Sequence, residues 1–354
     1  MIENENLVAD TARQIFTDLA DPQTINHSSD GAWKGPLWDA LAAAGLTLAW
    51  VPEQYGGAGA GLADGFQVIG VAGRFAAAVP LVETLLAGWL LSHARIRSPE
   101  GAMTVVPMHP GDRVILNSDG TLSGRARAVS FAREASHLAV CAHDQAAISI
   151  ALVEAGACRI AEGRSLAGDA LDAVTFDRTR PIRVAAAPAG LDQSSLLLMG
   201  AVARSVESAG ALDSILTLAL RHASERIAFE RPIGKFQAVQ HNLARLAGEV
   251  AATMTAAGSA ADAIAHAESF DDAIFLEAAA AKIRSAEAAT EGAAIAHQVH
   301  GAIGFTKEHI LHRFTLRLLA WRDDFGNESY WAAALGNRMA ERGAEELWPL
   351  IASR

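Results

Sequence analysis

Cysteine is almost absent: the 354 residues include only Cys141 and Cys158. They form no CxxC pair, which excludes a disulfide framework and a thiolate metal cluster as the basis of the fold. Aromatic residues make up 6% and include two Tyr. Basic charge is in deficit, with 29 Lys and Arg against 40 Asp and Glu, a formal charge of −11. General nucleic-acid binding needs clustered cations that displace counterions, and this balance opposes it, although a local basic pocket for a phosphorylated ligand stays compatible. No apolar run reaches the ~18 residues of a membrane span. The start Met1-Ile2-Glu3-Asn4-Glu5-Asn6 is acidic and lacks the basic-then-apolar order of a secretory leader. A cytoplasmic protein without a membrane segment is the expectation.

What is present is apolar and rich in alanine. Hydrophobic residues make up 51% and charged residues 19%, a balance suited to a large packed core. Ala loses no side-chain entropy in a helix, so the composition points to closely packed helices. Residues 1–100 read as helices joined by short loops, with Leu37, Leu41 and Gly45 leading into the Pro- and Gly-rich loop 51–59. Pro80 divides the apolar spacing from Phe66 to Leu91. The pattern changes near residue 100. The runs 113–116, 121–128, 137–142, 148–153 and 173–176 are short and rich in strand-forming residues, and Asp119-Gly120 is a hairpin signal. From residue 189 to 354 helical spacing returns, over about 192–228, 234–267, 271–300, 307–321 and 327–350. The expected fold is α+β and mostly α. It comprises an N-terminal helical domain (1–100), a small central β domain (101–188) and a C-terminal antiparallel helix bundle (189–354).

Three motifs carry more than periodicity. The stretch 226–240 contains Arg226, Phe229, Pro232-Ile233-Gly234, Phe236-Gln237 and Gln240, that is, RxxFxxPIGxFQxxQ. The stretch 298–305 contains Gln298, Gly301 and Gly304-Phe305, and Pro52-Glu53-Gln54-Tyr55-Gly56-Gly57 forms a third. In this order, over almost the whole chain, they resemble the motifs of the acyl-CoA dehydrogenase family. Glu230 stands where that family often has Gly, Ala302 replaces the second Gly of its QxxGG element, and no stretch resembles its Thr-Glu-Pro-Gly loop. His309 to Asn327 is similar to short members that pair with a second, related subunit.

The resemblance implies FAD as cofactor, bound across a subunit interface by Arg226, Phe229, Phe236, Gln237, Gln298 and Gly301. A guanidinium such as that of Arg226 suits a pyrophosphate. It also implies an acyl-CoA substrate oxidised to the α,β-enoyl-CoA, an electron-transfer flavoprotein as acceptor, and an oligomer of the tetrameric kind, either homomeric or with a related subunit. The family reaction needs a carboxylate to remove the α-proton. Its two usual positions fall on Gly326 and Gly200. Asp324 and Glu328 flank the first and are the candidate substitutes, while Asp323 and Glu207 lie near the two sites. Two expectations follow: a dehydrogenase or dehydrogenase subunit, or a non-catalytic partner that completes the FAD site of a hetero-oligomer. The pairs His297/His300 and His309/His312 have metal-like spacing but sit with no Cys, so no metal is expected.

Overall fold

The computed structural model describes residues 7–28, 31–145 and 147–352; the acidic stretch 1–6 lies outside them. The N-terminal part consists of α1 (Leu7–Ala20), α2 (Pro22–Asn26), α3 (Lys34–Ala43), α4 (Leu62–Phe75) and α5 (Leu81–His93). Helix α1 buries Ala9, Ala12, Phe16 and Ala20, a single stripe of helical period. Phe16 stacks on Phe75 of α4 at 5.5 Å. Helix α5 is different, because every residue from Leu81 to Ser92 is buried. A helix apolar on all sides is one covered on all sides, and α5 lies between α6 and the sheet. Glu83 is the one carboxylate it carries into that interior.

Among the described residues, eight strands make one mixed sheet: β1 (Met103–Val106), β2 (Arg113–Leu116), β3 (Leu122–Ser130), β4 (His137–Asp144), β5 (Ala147–Glu154), β6 (Arg159–Ala161), β7 (Leu171–Thr179) and β8 (Arg183–Ala186). The order is β6-β7-β3-β2-β4-β5-β8, with β1 parallel to the first half of β4. Five of these coincide with the apolar runs read from the sequence. Strands β1, β6 and β8 have only three or four residues, too short for an alternating pattern to show.

The C-terminal part opens with α6 (Gln193–Glu225), whose start is closed by reciprocal bonds between Asp192 and Ser195, a strong start signal. A two-strand hairpin, β9 (Ile227–Ala228) and β10 (Arg231–Pro232), leads to α7 (Gln237–His266) and α8 (Asp272–His300). Small residues such as Ala257, Ala260, Ala278 and Ala281 are buried where these helices meet, and small side chains allow close helix packing. Then come α9 (Leu311–Trp321), α10 (Glu328–Arg342) and α11 (Leu347–Ala352). Two expected boundaries move. The 307–321 helix begins at Leu311, whose N–H is taken by His309 Nδ1 at 3.1 Å. The 327–350 helix stops at Gly343, whose φ of 92° leaves the helical region. An ion pair of 2.8 Å between Arg317 of α9 and Asp169 joins the helices to the β part.

Candidate functional site

Gly200 and Arg204 lie one turn apart on α6, facing α5 and the turn after α9. A Cβ on Gly200 would sit 2.3 Å from Cδ1 of Phe325, so only glycine allows the two to meet. Phe325 is fully buried with φ of 56°, and its carbonyl accepts the Trp331 indole N–H at 3.1 Å. The ring therefore fills the space in front of Gly200.

Arg204 binds three carboxylates. Its Nε donates to Asp324 at 2.9 Å, its Nη1 to Glu207 at 2.5 Å, and its Nη2 to Glu83. All four side chains are buried. Burial pushes the Glu207 carboxyl up to about 7, against the pull of Arg204, and it raises Glu83 in the same way. Lys282 of α8 is also enclosed, and its ammonium donates to the Trp321 carbonyl at 2.7 Å. Burial pushes this ammonium down to about 8 although Asp324 opposes the change. The cluster is thus a charge network centred on Arg204, with Glu83 Oε2 buried and without a partner among the described residues and Lys282 held by a backbone carbonyl. Between it and the sheet, against Ser130, Phe131 and Ser165, there remains a cavity of about 20 Å³, room for a water molecule.

The sequence-derived site residues fall in two places. Asp324 is held by Arg204 inside the protein. Glu328, at the start of α10, is bonded by Arg322; burial works against its ionisation, but Arg322 outweighs that and keeps its carboxyl below the usual range. Neither is a free carboxylate. Gly326 opens instead on a surface groove of about 720 Å³ with His109, Asp323 and Tyr330.

The second place is an outer end of the bundle, where α6 and α8 both finish. Arg226 ends α6 and is exposed. Phe229 and Glu230 both have positive φ, 51° and 66°, as a two-residue hairpin turn requires. This turn projects Phe229, 89% exposed, with Phe236 edge-on at 6.1 Å and the Arg231 guanidinium 4.2 Å over the Phe236 ring. Gln237 is exposed at the start of α7. Gln298 is exposed on the last turn of α8, and a Cβ on Gly301 would meet nothing within 4 Å. Phe305 follows, 72% exposed and stacked on His297 at 4.2 Å.

The fold matches known proteins. Residues 2–94 match the acyl-CoA dehydrogenase N-terminal domain and residues 191–340 the acyl-CoA dehydrogenase C-terminal domain. The chain belongs to the acyl-CoA dehydrogenase family. It is 27% identical over 318 residues to the acyl-CoA dehydrogenase IpdE2 of Mycobacterium tuberculosis, covering 89% of this chain and 91% of that protein. Among solved structures, the Tcur3481-Tcur3483 steroid acyl-CoA dehydrogenase superposes with a TM-score of 0.83 at 28% identity, over 94% of this chain and 97% of that one. The ChsE4-ChsE5 complex from Mycobacterium tuberculosis also gives 0.83, at 23% identity, over 97% and 99%.

Whether this family's FAD fits can be judged in two halves. The outer end offers a free guanidinium, two aromatic rings, two amides and an open glycine turn, which suit the dinucleotide half. The inner cavity beside Arg204, about 20 Å³, is far below the few hundred Å³ of a cofactor pocket, so that cavity does not take a flavin ring. Sequence reading missed Glu83, Arg204, Lys282 and Phe325. The available signal was Glu83, the one carboxylate in the otherwise apolar α5; Lys282 is one of several charges on α8 and carried no such mark. Of the two His pairs, His300 meets His309 at 4.7 Å and stacks on His222, while His297 bonds Thr315 at 3.0 Å, and no group of three His, Cys, Asp or Glu suited to a metal ion occurs among the described residues.

Proposed function

We propose that this chain is the FAD-completing subunit of a hetero-oligomeric acyl-CoA dehydrogenase, in which a related partner chain supplies the catalytic carboxylate and the flavin-ring chamber. The observation that carries this reading is Phe325 packed on Gly200 with Arg204 holding Asp324. Both base positions are glycines, and the space in front of one of them is filled. The resemblance to two solved structures that name paired components supports the same arrangement.

In this role Arg226 donates hydrogen bonds to the cofactor's phosphate oxygens. Phe229 and Phe236 cover its apolar surface, Gln237 and Gln298 orient its polar edge, and Gly301 admits close backbone approach. Bound FAD would supply the hydride acceptor for oxidation of an acyl-CoA thioester, with an electron-transfer flavoprotein as the onward acceptor. Oxidation by this chain alone would require Asp324 to leave Arg204, a buried pair whose breaking costs several kcal/mol, or Glu328 to leave the partly exposed Arg322.

The visible spectrum tests the proposal. The chain purified alone is expected to be colourless, or to hold flavin that acyl-CoA thioesters do not bleach. Co-expressed with a related chain carrying a glutamate at either base position, it should give a yellow complex that bleaches. Arg226→Ala should then lower the complex's FAD affinity by about ten- to a hundredfold, the effect of losing charge-assisted hydrogen bonds. Flavin bound to the chain alone and bleached by an acyl-CoA would refute the assignment.

A further inference from the structure

Each of the two exposed turns leaves a helix whose last turn carries a histidine. His222 of α6 and His300 of α8 stack with ring centroids 4.5 Å apart. His309, on the segment leading into α9, lies 4.7 Å from His300 and 6.5 Å from His222. The three rings thus join the helix ends beneath the Arg226–Phe236 and Gly301–Phe305 turns.

Their surroundings favour the neutral state. His300 Nδ1 donates to the Ala296 carbonyl at 2.7 Å, because a carbonyl can only accept. Its Nε2 is buried with no partner among the described residues, so a second proton there would find no acceptor. His309 Nδ1 accepts the Leu311 N–H at 3.1 Å, which puts its proton on Nε2. The stack is built from neutral imidazoles. A proton added to His300 would place a cation in an enclosed site against two other imidazoles. The neighbouring charges add to this cost: Arg226 bears on His222, Arg221 and His312 on His309, and His297 on His300, with Glu225 acting oppositely on His222. Burial pushes His300 down to about 4, and it lowers His222 and His309 as well.

We propose that the His222–His300–His309 stack is an acid-released latch, which holds the two exposed turns in one arrangement while neutral and frees both together on acidification. That these turns serve a cofactor rests on the function proposed above; the latch does not. The sign follows from the direction of the shifts. The folded-state affinity of these rings for protons lies below that of a free imidazole, about 6.5. Their contribution to stability is whole above that pH and is lost as pH falls toward the His300 value of about 4.

Hydrogen exchange of the full chain, corrected for intrinsic rates, tests this at about pH 7.5 and about pH 5, on either side of the free-imidazole range. Protection over 222–236 and 300–309 should fall at least about tenfold in acid while the middle of α7 keeps its protection. His300→Phe, which retains a flat ring but cannot ionise, should remove that difference. Equal protection at both pH values in the wild type would overturn the latch, as would equal acid loss in His300→Phe. Should that variant fold poorly, an imidazole NMR titration of the wild type decides: a His300 midpoint at the ordinary histidine value overturns the proposal, and one well below it supports the latch. A chain that shows the latch yet, with no partner, holds flavin that an acyl-CoA bleaches would sink the proposed function and leave the latch standing.

Discussion

Arg204→Met should destabilise the protein by about 3–5 kcal/mol, the penalty for leaving buried charges without their partner. Three carboxylates, those of Glu83, Glu207 and Asp324, converge on that one guanidinium, and Lys282 is committed to the Trp321 carbonyl. Methionine fills a similar volume and supplies no charge. Urea unfolding of both proteins measures the difference, and a loss below about 1 kcal/mol would mean that the cluster rearranges or admits water at little cost. The pH dependence gives a second check. Burial already raises Glu207 to about 7, above its unfolded value. Its protonated form is therefore favoured by folding, and that contribution is full in acid and disappears as pH rises through neutrality. Removing Arg204 takes away the group that favours ionisation, so Glu83 and Glu207 rise further. The deficit of Arg204→Met relative to wild type should accordingly be largest at about pH 8 and shrink toward about pH 5, following proton linkage. A deficit that grows in acid would contradict the charge assignment.

The second large effect is a coupling between Gly200 and Phe325. Gly200→Ala places a methyl 2.3 Å from the Phe325 ring, and overpacking of that kind costs about 1–3 kcal/mol or more. Phe325→Ala alone empties a fully buried site and should cost about 3–5 kcal/mol. In the double variant the clash is gone, so its deficit should fall short of the sum by about 1–3 kcal/mol, which a double-mutant cycle in urea measures. Strict additivity would show that the ring does not rest on Gly200. The same pair bears on function, since this ring occupies the space facing an expected base position.

Much of the architecture was legible along the chain. The long helices α6, α7 and α8 follow from apolar spacing sustained over about thirty residues and from start signals such as Asp192 and Asp271. The hairpin between β2 and β3 was visible in Asp119-Gly120, where Gly120 takes φ of 78°. Strand β1 was not, because four buried residues between Gly101 and Pro107 are too few for an alternating pattern to show. The exposed turns were readable as motifs because their residues are close in sequence and each element is built by local backbone geometry. Glu230 shows how far this goes: it holds a left-handed conformation in a position where the sequence pattern suggests glycine.

The sequence by itself determined the long helices, five of the strands, the family, the positions of the two exposed turns and the identity of the residues at Gly200 and Gly326. Only the tertiary structure decided what stands opposite them. Glu83, Arg204, Lys282 and Asp324 come from four different helices or turns, and Glu83 and Arg204 are 121 residues apart. Nothing in the spacing of any one segment tells a buried acid from a solvated one, since a charge is buried only if a distant partner arrives to answer it. The same holds for Phe325 on Gly200 and for His222 on His300. Local chemistry is written along the chain, whereas burial and pairing exist only once the helices have packed.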